Sequence, residues 1–411
     1  MSDFDKVPQK AIVLWVSGVR LADIRTLPEV ASLLNRGALV ELDPLPITGS
    51  QAQHYQALSG KSPAGFGFFD SLVPRNYAAV EESSGRGTTP KLLPDLLRTV
   101  GWTVQYEEVQ AAELATRLQV LTQTASASPC CLIVKCTVSD RAANVSTALS
   151  QALHTAQQWV GDAGLLALLS DTQPASVARF VNMNNFLAEM GIIERDEQSG
   201  QVLWQNSLAY YAGNGQVWVN LLGRDAQGAV HPQDEYEEVR DTLVKALPQK
   251  LRDTETGEPV IERVYRKEEL YSGDFLFCAP DLVVVFKPGY APSPRSTRLD
   301  FDAEMFTTPV AGTTTVAGVH PSMLAGFLLA AAPTLAERVI EYERAPLTAV
   351  VPILLHALGV EYVDMEVAAV STLFSEDYLE THPIRSAAQN QELSEEDEEL
   401  IISHLRDLGY V

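Results

Sequence analysis

The chain is short of cysteine, short of positive charge and without a long apolar run. Each shortage excludes something. The four cysteines form no C-x-x-C pair, and three of them, Cys130, Cys131 and Cys136, share one apolar stretch, CCLIVKCTV. They read as buried thiols in a strand rather than as a redox or zinc motif. Lys and Arg number 30 against 53 Asp and Glu, a net charge of −23. Such a surface repels phosphate backbones and disfavours nucleic-acid binding. An anionic ligand could then bind only beside a local positive feature, such as a metal ion or a helix N-terminus. The polar start, MSDFDKVPQK, has no basic region ahead of a long apolar segment, and the run at 11–16 is too short for a signal peptide or a membrane span. The expected location is therefore the cytoplasm, with no membrane partner. There, the sequon Asn144-Val145-Ser146 carries no meaning. Internal repeats are absent. Gly60-Lys61-Ser62 imitates the end of a phosphate-binding P-loop, but Tyr55 stands where that motif needs glycine.

What is present is enough for a large core: 411 residues, 46% of them hydrophobic. Length alone allows about two or three domains. AIVLWVSG (11–18), ALVELDPLP, WTVQYEE, CCLIVKCTVSD (130–140) and 164–171 read as strands, mostly buried on both faces. Helices are expected at 27–37, from Ser50, at 89–101 and at 143–161. This alternation predicts an α/β three-layer sandwich with a mostly parallel central sheet. From 195 to 305 the chain is richer in charge and turns, with alternating strands such as GQVWVNLLG and LVVVFKPGY, and reads as an inserted cap. The core pattern returns with MLAGFLLAAAP (323–333) and an expected helix at 345–360. The expected organisation is a core of 1–194 and 306–385, a cap of 195–305, and an acidic helical tail of 386–411.

Open parallel sheets bind ligands at the carboxyl ends of their strands. The residues there are Ser17-Gly18, Ser139-Asp140 and Ser170-Asp171, and His320 precedes another buried segment. Two aspartates and a histidine suit a divalent metal. The competing reading is that Asp140 and Asp171 cap the elements that follow them. Ser50 opens SQAQHYQALSG, where Ser-x-x-Gln is a capping box. A hydroxyl at a helix N-terminus also lies beside anion-binding backbone N–H groups, and a metal could activate it as a nucleophile. His54, further along that helix, reads as a packed core histidine.

These pieces, in this order, resemble the alkaline phosphatase superfamily, in its type I phosphodiesterase/nucleotide pyrophosphatase branch. The resemblance runs through nearly the whole chain. AIVLWVSGVRLADIRTLPEVASLLNRGALV is similar to the opening strand and helix, and PITGSQAQHYQALSGKSPAGFGFFD to the nucleophile helix and following turn. LLSDTQPASVARFVNMNNFLAEMGII is similar to the Ser-Asp-His-Gly segment, and AGVHPSMLAGFLLAAAP to the last metal-histidine segment. The resemblance implies a site of two divalent metals on three Asp and three His, with a Ser or Thr nucleophile. Ser50 stands at the nucleophile position. Asp140, Asp171 and His320 stand at ligand positions. Ser17, Thr172 and Asn144 stand where the family has Asp, His and His, and Phe66 where it has the turn histidine.

The metal that would activate Ser50 is thus left with Ser17, Asp171 and Thr172, and the other with Asp140, Asn144 and His320. One carboxylate and two hydroxyls are a poor zinc set, and the second trio suits Mg or Mn better. Two-metal catalysis needs both ions. The resemblance therefore implies a degenerate relative with reduced or no hydrolysis, kept for binding or structure, and holding one divalent metal (Mg, Mn or Zn) or none. The alternative is an active divergent phosphodiesterase acting on a small anionic phosphoester, with one metal or with replacement ligands from the cap such as Asp274 or His231.

Overall fold

The computed structural model of the chain describes residues 7–45, 50–69, 72–81, 89–137, 144–173, 175–293, 299, 301–311, 313–315, 325–336, 343–362 and 364–385. Of Ser50 and Asn144 the backbone alone is described.

The central sheet has seven strands in the order Glu343–Pro346, Ala38–Asp43, Gly326–Ala331, Leu165–Ser170, Lys10–Ser17, Cys130–Thr137 and Thr103–Gln110. All neighbours run parallel except Gly326–Ala331, which is antiparallel to both of its partners. The opening strand shows why the sheet forms a middle layer. Ala11, Val13 and Trp15 enter one core, with Leu58, Leu97 and Leu354 of the helices Ser50–Ser59, Leu93–Thr99 and Val350–Ala357. Ile12, Leu14 and Val16 enter the other, with Leu33, Leu118 and Leu153 of Pro28–Arg36, Leu114–Thr124 and Asn144–Val160. A continuous apolar run is what a strand covered on both faces requires. Helix Asn144–Val160 buries Leu149, Ala152, Leu153 and Ala156, the spacing of one helical face. The α/β sandwich with a mostly parallel sheet is therefore the observed fold.

A separate core gathers Val181, Tyr210, Val217, Leu243, Val264 and Phe286. It lies about a four-stranded antiparallel sheet of Ile261–Arg266, Leu282–Phe286, Gln216–Val219 and Ala209–Gly213, with helix Asp234–Lys250 against it. Tyr77, from the hairpin of Leu72–Arg75 and Ala78–Glu81, is part of this core. Its ring stacks on Trp204 at 3.6 Å, its hydroxyl donates to Asn220 Oδ1, and it accepts from Gln227 N–H. No helix among the described residues is long and apolar enough to cross a membrane.

Three local expectations are corrected. The helix at 345–360 starts late: Glu343–Pro346 is an edge strand, Leu347–Ala349 a 3-10 turn, and Val350–Ala357 the helix. Pro346 and Pro352 both sit where no helical N–H is lost, the first before the helix and the second in its first turn. The strands within GQVWVNLLG and LVVVFKPGY do not alternate, because Gln216–Val219 and Leu282–Phe286 are buried at every position. Both are inner strands of their sheet, one face on a helix and the other on further chain. The helix at 89–101 spans only Leu93–Thr99.

Candidate functional site

Strand Leu165–Ser170 and the opening strand Lys10–Ser17 are adjacent and parallel, so Ser17 and Asp171 leave the sheet at the same edge. The backbone after each strand is tied down. Gly18 takes φ +85° and donates its N–H to Thr172 O at 3.0 Å. Such a φ strains any residue with a Cβ, so the glycine after Ser17 is a backbone requirement. The Ser170 hydroxyl donates to Val19 O at 2.9 Å and lies 3.1 Å from Thr172 O. On the other side Gly326 abuts this turn: a Cβ there would lie 2.1 Å from Ser170 O. Asp171 and Thr172 are thus clamped between two neighbouring strands, and both are buried.

Asp171 does not cap a helix. The next element is the strand Ala175–Val181, and Asp171 Oδ1 has no hydrogen-bond partner among the described residues. The same holds for Ser17 Oγ, Thr172 Oγ1 and Trp15 Nε1. A buried polar atom left unpaired costs about 1–3 kcal/mol, so these four make this sheet end the candidate site. Burial pushes the Asp171 carboxyl above the usual carboxylate range. Trp15, Ser17 and Lys135 oppose that shift, although neither Trp15 nor Ser17 completes a hydrogen bond of normal geometry.

One rung into the sheet lies a polar cluster that the sequence reading did not assemble. Trp15, Lys135 and Glu108 are register partners across three adjacent strands. Helix Ser50–Ser59 lays His54 over them: its ring stacks on Trp15 with centroids 4.8 Å apart. Lys135 Nζ lies 2.6 Å from His54 Nδ1, 3.6 Å from Glu108 Oε1 and 5.1 Å from the Trp15 ring centre. An ammonium has only donors, so Nδ1 is the acceptor and the imidazole is neutral. Burial, with Lys135 adding to it, brings the His54 pKa down to about 4. The Tyr106 hydroxyl donates to Glu108 Oε1 at 2.6 Å. Burial raises Glu108, but Tyr106, Lys135 and His54 outweigh it and hold the carboxylate below its usual range. His54 is packed, as expected, but as part of a charged network. A lysine inside CCLIVKCTV was the one available signal.

Asp140 and His320 lie outside the described residues. Ser50 begins the helix Ser50–Ser59 and Asn144 begins the helix Asn144–Val160, at helix starts as expected. Gln53 is fully buried with neither amide atom partnered among the described residues, so its half of the Ser50 capping box is not made. Phe66 is buried against Tyr55 in a small apolar cluster with Ala52 and Phe68. Lys61 pairs with Asp364, and Ser62 donates to Glu366 at 3.0 Å, so the P-loop look-alike is an internal brace. His231 and Asp274 are exposed, and among the described residues neither bonds to Ser17, Asp171 or Thr172. Cys130, Cys131 and Cys136 are buried free thiols, as expected.

The trio can be tested against the metal that the resemblance implies. It offers one carboxylate oxygen and two hydroxyls, without nitrogen or sulfur. Structural and catalytic zinc sites take three or four His, Cys or carboxylate ligands. The trio does not fit that set. Among the described residues no group of three or more His, Cys, Asp or Glu is placed to hold a metal.

The fold, a mostly parallel seven-stranded sheet between helices, is alkaline phosphatase-like. Two solved structures sharing it are murine and human ectonucleotide pyrophosphatase/phosphodiesterase 5. The murine protein is 12% identical with a TM-score of 0.53, over 87% of this chain and 96% of that one. The human protein is also 12% identical with a TM-score of 0.53, over 92% of this chain and 100% of that one. No protein-family model matches the sequence. No curated protein sequence matches it.

Proposed function

We propose that the chain is a degenerate member of the alkaline phosphatase superfamily, of the phosphodiesterase/nucleotide pyrophosphatase type, with metal-dependent hydrolysis reduced or lost. Its site then serves binding or structure. The observation that carries this reading is the trio Ser17 Oγ, Asp171 Oδ1 and Thr172 Oγ1: buried oxygens without a hydrogen-bond partner among the described residues, on side chains that bear a single charge. A hydroxyl nucleophile at Ser50 needs a base or a metal to lower its pKa, and that trio is a poor holder of the metal. The buried free thiols Cys130, Cys131 and Cys136 are compatible with the reducing cytoplasm expected for it.

The second reading, an active divergent hydrolase of small anionic phosphoesters, is favoured by one observation. Asp171 is kept as a buried carboxylate with a free oxygen at a costly position. The two readings separate on hydrolysis of bis(p-nitrophenyl) phosphate with Mn²⁺ or Zn²⁺ present. The degenerate reading expects a rate at the level of buffer plus metal, unchanged in Ser50→Ala. A metal-dependent rate abolished by Ser50→Ala would establish the active hydrolase instead.

A further inference from the structure

We propose that the cavity beside the carboxyl end of helix Val350–Ala357 is a binding site for a small uncharged phenol, a single aromatic ring carrying one hydroxyl, which His356 holds by a hydrogen bond. The cavity is separate from the Ser17 and Asp171 site. Gly359, on its wall, abuts Val7, which precedes the opening strand, so the cavity lies at the opposite end of that strand from Ser17.

Four rings build the cavity. The Tyr378 hydroxyl donates to His356 O at 2.7 Å, which ties helix Glu376–Thr381 to the end of helix Val350–Ala357. His356 meets Tyr378 edge-on with centroids 5.4 Å apart and Tyr362 at 6.5 Å, and His382 stacks on Tyr378 at 4.5 Å. All four line the cavity, whose volume is 160 Å³. A cavity of about 150 Å³ holds one benzene, so there is room for a single ring, and aromatic walls suit it. Charge sets the next limit. Glu361 and Arg385, at the exposed mouth, pair with each other at 3.4 Å, so together they add no net charge. An ionic ligand would lose its hydration here without a free counter-charge. His356 supplies the polar contact. The residue is 8% exposed, and its Nε2 has no hydrogen-bond partner among the described residues. Burial, with His382 adding to it, brings its pKa down to about 4, so the imidazole is neutral. A neutral imidazole has one donor and one acceptor nitrogen, and a hydroxyl can serve either. A purely apolar ring would leave Nε2 unpaired, which is costly.

The test titrates the full chain, labelled with ¹³C-histidine, with phenol and separately with toluene, which has the same shape without the hydroxyl. Two-dimensional NMR spectra follow the imidazole signals, and His356→Gln and His382→Gln identify theirs. The expected result is a saturable shift of the His356 and His382 signals by phenol, with the other histidine signals unmoved. A molecule this small should bind with a Kd of about 1 mM. Phenol should bind at least about fivefold more tightly than toluene, the share of one hydrogen bond, and His356→Phe should abolish that preference. If His356→Phe does not fold, the ratio of phenol to toluene affinity in the wild type decides alone. Equal affinities there would overturn the proposal and leave an apolar cavity. Absence of a saturable shift, or equal shifts across all histidines, would overturn it as well.

Discussion

His54 stacks on Trp15 with ring planes 17° apart, and through Nδ1 it accepts the Lys135 ammonium. The pair joins the helix that starts at Ser50 to the middle of the sheet. The helix is thereby held over the strand ends by a polar contact as well as by Ala57 and Leu58. That contact has a pH signature.

The His54 pKa is about 4 in the folded chain against 6.5 for an ordinary histidine. The unfolded chain therefore takes up a proton first as pH falls. Stability from the neutral imidazole is fully present above pH 6.5 and is lost as pH falls from 6.5 toward 4. The loss is at most about 3 kcal/mol. His356, buried and facing His382, is brought down to about 4 in the same way and adds to the same window. Melting curves between pH 7 and 4 should show the fall, and His54→Gln should flatten part of it.

Asp171→Asn should stabilise the chain in EDTA, by about 1 kcal/mol, because the amide keeps the shape and removes a buried charge. Chemical denaturation at pH 7 measures it. A loss of stability would mean that the carboxylate makes favourable contacts beyond those described.

Gly326→Ala should cost about 3 kcal/mol or prevent folding. The added methyl would lie 2.1 Å from Ser170 O and 2.8 Å from Asp171 C, both backbone atoms that cannot rotate away. Expression yield and melting temperature report it, and Ala325→Gly, one residue away, is the control.

Tyr77→Ala should cost about 3–4 kcal/mol. It removes a ring stacked on Trp204 and the hydroxyl shared by Asn220 and Gln227. Limited proteolysis should then cut near the hairpin of Leu72–Arg75 and Ala78–Glu81 before the central sheet opens. The conservative Tyr77→Phe should lose only the hydroxyl share.

Much of this was legible in the chain because the central strands are buried on both faces. AIVLWVS, CCLIVKC and LLALLS declare themselves by unbroken apolarity, and the helix at 144–160 by its period. Direction leaves no mark in such runs, so the antiparallel course of Gly326–Ala331 was not readable. Ala345 and Pro346, the end of the strand Glu343–Pro346, read as part of the helix after them because the apolar pattern continues through the boundary. Asp171 was found by its position at a strand end, and Ser17 and Thr172 by what the family has there. The Trp15, His54, Glu108 and Lys135 cluster was not found. Its members come from four separate elements, and only strand register and the tilt of one helix bring them together.

On the proposed reading, the Ser17, Asp171 and Thr172 side of the site no longer retains a catalytic metal. The most direct measurement is metal stoichiometry, by elemental mass spectrometry on the purified full chain after dialysis against Mn²⁺ and Zn²⁺, with Asp171→Ala alongside. The same metal content is expected in both proteins, with hydrolysis rates that differ by less than about tenfold, or 1.4 kcal/mol in barrier. Near-stoichiometric metal in the wild type that Asp171→Ala loses would contradict it.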